Sequence, residues 1–132
     1  MERAFLDANV LFSALRDARS RLLPLWSLAG VEIVTSAYAI EEVRRNLESE
    51  AQRKRLEALL ARTTIVSESP PWRPPEGVRL RDKDLPILAA AVWCRATHLV
   101  TGDWRDFGPY FGRRIAGVLI VPPSDYLGAR GL

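Results

Sequence analysis

Three aspartates of this 132-residue chain stand where carboxylates can do chemistry together. Asp7 follows the apolar run AFL, Asp103 follows LVTG, and Asp84 precedes the apolar stretch LPILAAAVW. In an open parallel sheet, ligands bind beyond the carboxyl ends of the strands, so residues that directly follow strands are the first to consider. If the two short runs are neighbouring strands and the longer stretch is the helix before the second, all three carboxylates lie at one edge of the sheet.

Carboxylates that converge in this way need a compensating positive charge. Two of them roughly 4 Å apart repel by about 4 kcal/mol at an effective dielectric constant of about 20. Protonation of some members is one solution, but Mg²⁺ or Mn²⁺ is a better one, because these hard cations prefer oxygen ligands. Such a cation suits phosphodiester hydrolysis, since it activates a water molecule and offsets the charge on the leaving oxygen.

Each aspartate also has a structural interpretation. Asp82 and Asp84 are both suitable N-caps for the apolar helix, and Asp103 is suitable for a turn. Asp7 is harder to explain in this way, because an acid that ends a central strand would be partly buried without a partner. The sequence therefore favours a functional role most clearly at Asp7.

The elements that must position these residues alternate between strand and helix. Strands are predicted at residues 4–6, 31–35, 63–66, 98–101 and 117–121. Ser20 is predicted to cap one helix, Ser36 to cap a longer stretch of two helices or one bent helix, and residues 85–93 to form a buried central helix. Because parallel strands need crossover connections, the alternation predicts a three-layer α/β/α fold with a central parallel sheet of about four to five strands.

Length, composition and charge limit the remaining possibilities. At 132 residues, with 48% apolar and 27% charged residues, the chain is predicted to be one globular domain. No apolar run approaches the roughly 20 residues that cross a bilayer. The single cysteine, Cys94, excludes an internal disulfide and favours a cytoplasmic location. A net charge of +3 permits weak attraction to nucleic acid but not the dense basic surface of a dedicated DNA-binding protein.

Four segments follow one another along the chain: FLDANVLFSAL, SAYAIEEVRRNL, DLPILAAAV and ATHLVTGDWRDF. In this order they resemble the four acidic motifs of the PIN-domain family of metal-dependent ribonucleases, which includes the VapC-like toxins. The resemblance implies a single PIN-like domain over residues 1–132. It also implies an endoribonuclease that hydrolyses phosphodiester bonds of single-stranded RNA with Mg²⁺ or Mn²⁺.

The resemblance carries roles to particular residues. It implies that the catalytic, metal-binding acids are Asp7, Glu42, Asp84 and Asp103, with Asp106 as a further metal-binding acid. Asn9 and Thr101 match supporting positions, where the Thr101 hydroxyl orients a carboxylate or a water. Two neighbours remain competitors: Glu41, because helical periodicity does not choose between it and Glu42, and Asp82, which stands two residues before Asp84.

Residues beside these acids are candidates for contact with RNA. Arg44, Arg45 and Arg105 are placed to hold flanking phosphates, although each is also explained as an exposed solubilising charge. Trp104 directly follows Asp103 and either stacks on a base or packs against the protein.

The resemblance further implies a biological setting. The chain is expected to be the cytoplasmic toxin of a type II toxin–antitoxin pair, with an RNA substrate, an antitoxin partner, a homodimeric assembly and no association with a membrane. The alternative is a PIN-like module that binds nucleic acid or protein without turnover, but such a module does not need a repulsive carboxylate cluster.

Two other enzyme classes also place aspartates at strand ends, and their requirements are not met. A haloacid-dehalogenase-like phosphatase needs a second aspartate two residues after its nucleophile, where this chain has Asn9. A phosphoaspartyl receiver needs a lysine at the end of its last strand, where this chain has Val121 followed by prolines.

Overall fold

The computed structural model describes residues 1–132 and contains six strands that form one sheet. The strands are Glu2–Leu6 (β1), Val31–Ser36 (β2), Thr64–Val66 (β3), His98–Val100 (β4), Arg114–Ile115 (β5) and Val118–Val121 (β6). Their order across the sheet is β3-β2-β1-β4-β6-β5, and every neighbouring pair is parallel except β5 with β6. The structure confirms the predicted α/β fold with a mostly parallel central sheet and adds one short antiparallel strand, β5.

Five α-helices accompany the strands. They are Ala8–Ala14 (α1), Ala37–Arg45 (α2), Glu50–Leu60 (α3), Leu85–Trp93 (α4) and Pro123–Gly128 (α5). Among these helices α2 packs against α1 and α4, and α4 also packs against β2 and β4. None of these helices is both long enough and apolar enough to span a bilayer.

The long stretch after Ser36 folds as two helices. The Ser36 hydroxyl accepts the Ala39 N–H at 3.2 Å and begins α2, and the Ser49 hydroxyl accepts the Gln52 N–H at 3.1 Å and begins α3. Each cap satisfies an amide that would otherwise have no intrahelical partner. The two capping serines therefore divide the stretch, which periodicity left open.

The prediction of an α-helix after Ser20 is wrong. The Ser20 hydroxyl donates to the Ser13 carbonyl at 3.2 Å and accepts the Leu22 N–H at 3.3 Å, so it closes a local turn. The residues that follow form only a short 3₁₀ helix, Leu23–Ser27. The polar side chain competes with helix formation instead of starting a helix.

The sheet has a topological switch point between β1 and β4. After β1 the chain moves to β2 on one side, and after β4 it moves to β5 and β6 on the other side. Residues Ala4, Phe5 and Leu6 of β1 are fully buried, so this strand lies at the centre of the core. A crevice opens beyond the carboxyl ends of strands at such a point, and this is where ligands bind in open α/β sheets.

Candidate metal centre

Asp7 lies at the switch point, directly after β1. It is the N-cap of α1, and its Oδ1 accepts the Ala8 N–H at 2.7 Å. Its Oδ2 accepts hydrogen bonds from the Thr101 hydroxyl at 2.8 Å and from the Asn9 side-chain amide at 3.1 Å. With only 4% of its surface exposed, the carboxylate is held by three donors inside the protein.

A short hydrogen-bond network joins the ends of β1 and β4. The Thr101 hydroxyl, which donates to Asp7, also accepts the Asp103 N–H at 3.1 Å. The Asn9 side-chain Oδ1 accepts the Gly102 N–H at 2.7 Å, and a Cβ at Gly102 would come within 3.3 Å of that oxygen. Glycine thus permits the close approach that places Asp103 beside Asp7. Asn9 and Thr101, both predicted as supporting residues, lie at the centre of this network.

Asp84, Asp103 and Asp106 form a close cluster, in which one carboxylate oxygen from each lies within 4.8 Å of the others. Asp84 occupies the N-cap position of α4, but its side chain makes no capping hydrogen bond. Its residue is 6% exposed, and its buried Oδ2 has no hydrogen-bond partner. Capping therefore does not explain Asp84, and an unpaired buried carboxylate oxygen is costly unless it takes a proton or a cation.

Asp82, the sequence competitor of Asp84, is exposed to solvent. It stands outside the acidic cluster. The structure thus separates the two aspartates, which the sequence pattern did not.

Asp106 is held in the cluster by Arg81. Arg81 Nε and Nη2 both donate to Asp106 Oδ2, at 2.9 and 2.6 Å, and this ion pair keeps the pKa of Asp106 below its usual range. The Arg81 carbonyl also accepts the Asp84 N–H at 2.9 Å, so the same residue positions both acids. Sequence reasoning missed Arg81. The only sequence signal is an arginine just before the two aspartates of RDKD, because its partner Asp106 lies 25 residues away.

Glu42 does not belong to this cluster of three acids. It is half-buried on α2 and lines a groove of about 370 Å³ together with Asn9, whereas Glu41 is exposed. The Glu42 charge contributes to the raised pKa of Asp7. The structure therefore places Glu42, and not Glu41, next to the first acid.

The three arginines predicted to contact RNA differ in their surroundings. Arg44 pairs with Glu57 of α3 at 2.8 Å and ties two helices together. Arg105 and Arg45 are exposed, and the positive charge of Arg105 contributes to the lowered pKa of Asp106. Of these three arginines, only Arg44 forms an ion pair within the protein.

Tyr38 is a further residue at this edge that the sequence reasoning missed. Its hydroxyl donates to the Lys83 carbonyl at 2.8 Å and links α2 to the segment before α4. Burial raises the pKa of Tyr38, and the charges of Glu42 and Asp84 raise it further. Tyr38 thus stands between the acids of α2 and those of the cluster.

Burial dominates the electrostatics of the two most enclosed acids. It raises the pKa of Asp7 to about 6, against the opposing hydrogen bonds from Thr101 and Ala8. It raises the pKa of Asp84 to about 7, assisted by a hydrogen bond that the protonated form shares with Asp106 and by the Asp103 charge. Near neutral pH each of these carboxyls is therefore present in both its protonated and its ionised form. A bound cation would hold both in the ionised form.

These shifts predict that the metal-free protein becomes less stable as pH rises. The folded chain holds protons on Asp7 and Asp84 more tightly than the unfolded chain, whose aspartates titrate near 3.8. The contribution of these two carboxyls to stability is therefore fully present below about 3.8 and is lost as pH rises through about 6 and about 7. We expect the free energy of unfolding in EDTA to fall by about 3 kcal/mol between pH 5 and pH 8 in urea titrations.

Asp7→Asn serves as the matched control for this pH dependence, because asparagine keeps the shape and does not titrate. In Asp7→Asn the free energy of unfolding should fall less between pH 5 and pH 8 than it does in wild type. His98 acts in the opposite direction, since burial lowers its pKa. A stability that rises steadily from pH 5 to pH 8 without metal would contradict the assignment of the two raised pKa values.

Comparison with known proteins adds three findings. The sequence profile of the PIN domain matches residues 3–105, a range that contains Asp7, Glu42, Asp84 and Asp103 and ends one residue before Asp106. The fold is similar to a chain of VapBC2 from Rickettsia felis, in a crystal structure of that complex bound to a DNA fragment from their promoter. The TM-score is 0.63 at 19% sequence identity, over 91% of this chain and 98% of the other. None of the curated proteins matches the sequence significantly.

Proposed function

The chain belongs to the PIN-domain family, and we propose that it is an endoribonuclease that hydrolyses single-stranded RNA with Mg²⁺ or Mn²⁺. The observation that carries this proposal is the buried Asp84 Oδ2, which has no hydrogen-bond partner and belongs to a cluster of three carboxylates within 4.8 Å. A set of hard oxygen donors with one unsatisfied member is what a hard divalent cation requires.

The residues of the site fit such an ion. Asp84, Asp103 and Asp106 would hold it, and Asp7 with Glu42 would extend the acidic surface toward α2. When bound, the cation would supply activation of a water molecule and stabilisation of charge on the phosphoryl and leaving oxygens.

The other side chains prepare these carboxylates. Thr101 and Ala8 donate to Asp7 and so favour its ionised form against the effect of burial. Arg81 keeps Asp106 ionised and fixes its orientation through two hydrogen bonds. Preorganisation of this kind means that the acids need little rearrangement when substrate and cation arrive.

The proposal extends to the setting of the protein. We infer a cytoplasmic toxin whose acidic edge is covered by an antitoxin, and which forms a homodimer. Support comes from the family membership and from the fold shared with a chain of the VapBC2 complex. The alternative, a binding module without turnover, would retain the fold but would not need the ionisable cluster.

A cleavage assay tests the enzymatic proposal. Purified protein is incubated with mixed-sequence single-stranded RNA in Mn²⁺, Mg²⁺ or EDTA, and wild type is compared with Asp7→Asn and Asp103→Asn. We expect cleavage with either metal, none in EDTA, and a loss of at least about 100-fold in each variant. Because both substitutions remove charge and keep shape, circular dichroism should show folded proteins.

Two results would contradict this expectation. Cleavage that persists in EDTA would exclude a metal-dependent reaction. A folded wild-type protein, free of any antitoxin, that binds RNA but cuts none with either metal would favour the binding module.

A further inference from the structure

Three grooves open around the acidic edge, and their charges differ. The groove beside Asn9 contains Glu42 and Glu48, and the groove beside Tyr38, of about 340 Å³, contains Glu68. The third groove measures about 750 Å³, contains no acidic side chain, and has one charged side chain in its lining, that of an arginine. We call it the Trp104 groove, and its walls include Arg21, Leu22, Gly102, Trp104, Pro122 and Leu127.

These charges select a path for a polyanion. Phosphates of a nucleic-acid strand would be repelled by the glutamates of the first two grooves and attracted by Arg21 in the third. Arg21 is exposed and forms no ion pair, so its guanidinium is available. The Trp104 groove also lies next to the acidic site, because both neighbours of Asp103 in the chain, Gly102 and Trp104, line it.

Trp104 is a large aromatic surface held in position but open to solvent. Its ring packs edge-to-face on Phe111, with centroids 4.6 Å apart and an interplanar angle of 87°. Gly108 lies beneath it, and a Cβ there would already come within 3.7 Å of the indole ring. Even so, 68% of the residue is exposed, so packing against the protein accounts for only a small part of its surface.

We propose that the Trp104 groove binds an unpaired nucleobase of an RNA strand, next to the phosphate that lies over the acidic cluster. The base stacks on Trp104, and Arg21 contacts a phosphate of the same strand. Stacking on an aromatic side chain needs an unpaired base, so the groove selects single strands over duplexes. This inference deepens the proposed ribonuclease function and rests on it for the choice of RNA.

Binding measured without cleavage tests the groove. We would titrate labelled mixed-sequence RNA of about 12 nucleotides, within the length that single-strand sites cover, against the full chain carrying Asp84→Asn, in EDTA, and follow fluorescence anisotropy. Adding Trp104→Ala should weaken binding by roughly 5- to 150-fold, the range for loss of one base stack. Trp104→Phe should lose much less, since phenylalanine keeps an aromatic face.

Trp93 provides a matched control within the same chain. It is 56% exposed and ends α4, about 13 Å along the helix from the acids at its start. Trp93→Ala should change affinity by less than about twofold, well below the effect of one base stack. Arg21→Ala should lower the slope of log affinity against log salt by about 0.7 without loss of stacking.

A strand with abasic sites separates stacking from charge. This strand should bind equally to the protein that retains Trp104 and to the Trp104→Ala variant, because no base remains to stack. If Trp104→Ala and wild type bind the normal RNA equally, the proposal is overturned. Loss of self-association in the same variant, measured by sedimentation, would then assign the groove to a second copy of the chain.

The outcome for the groove can be told apart from the outcome for catalysis. RNA cleavage by wild type with unchanged affinity in Trp104→Ala would uphold the nuclease and reject the groove. Trp104-dependent binding without cleavage in any metal would uphold the groove and reject the nuclease. Absence of both binding and cleavage in the folded protein would reject both.

Discussion

Asp84→Asn is expected to reduce RNA cleavage by about 10³-fold or more with either Mg²⁺ or Mn²⁺, which corresponds to a loss of about 4 kcal/mol of transition-state stabilisation. The reason is the unpaired Asp84 Oδ2, which the structure leaves for a proton or a cation. Asparagine cannot supply an anionic ligand there, and its amide would direct N–H groups at the place of the ion. Cleavage rates at saturating RNA and metal measure the effect.

A second measurement makes this prediction independent of the substrate. Because Asp84 is buried with its pKa raised to about 7, its ionised form destabilises the metal-free protein at higher pH. Asp84→Asn should therefore be more stable than wild type in EDTA at pH 8, by on the order of 2 kcal/mol. Addition of Mn²⁺ should raise the melting temperature of wild type and leave that of the variant almost unchanged.

Asp82→Asn is the matched control, since it makes the same chemical change two residues away on an exposed side chain. It should cleave RNA at the wild-type rate and keep the Mn²⁺-dependent rise in melting temperature. Equal losses in Asp82→Asn and Asp84→Asn would show that total charge, and not the buried oxygen, matters at this edge. Wild-type activity in Asp84→Asn would remove the observation on which the metal centre rests.

The parts of the site that follow from strand ends could be predicted from the sequence. Asp7 and Asp103 directly follow short apolar runs, and alternation of strands and helices brings such residues to one edge of a parallel sheet. The central strands are long enough or apolar enough to be predicted from their sequence pattern. By contrast, β5 has two residues and α5 begins at a proline pair, so neither carries a periodic pattern.

Contacts between distant residues could not be predicted from local patterns. Arg81 and Asp106 form two hydrogen bonds, but neither residue differs locally from an ordinary exposed charge. The same limit applies to the choice between Glu41 and Glu42, which depends on how α2 packs beside α1. The family resemblance supplied Glu42 and Asp106, whereas periodicity alone supplied neither.

The exposure of an aromatic residue is also a property of the folded surface. Trp104 and Trp26 both lie in mixed sequence, yet Trp26 is buried and donates through its indole N–H to the Thr63 hydroxyl at 2.9 Å. Trp104 has no such partner and faces a groove. Only the structure distinguishes an aromatic that packs from one that is left open to a ligand.

Glu42→Gln is expected to lower cleavage by about 10- to 100-fold at limiting Mn²⁺, the range seen when residues that support metal ligands are changed. Glu42 lies outside the cluster of three acids, so its charge should attract the ion without being essential to hold it. An excess of Mn²⁺ should therefore restore most of the activity, unlike in Asp84→Asn. Initial rates across a Mn²⁺ titration measure this difference.

A change in pH dependence accompanies that loss and ties it to Asp7. The Glu42 charge helps to raise the pKa of Asp7 above its usual value. In Glu42→Gln the pKa of Asp7 should fall, so the acid limb of the rate profile should move to lower pH at limiting Mn²⁺, where most of the protein is metal-free. Glu41→Gln changes an exposed charge on the same turn and should alter neither the Mn²⁺ dependence nor the acid limb. If Glu41→Gln shifts both and Glu42→Gln shifts neither, α2 presents the other glutamate to the site during catalysis.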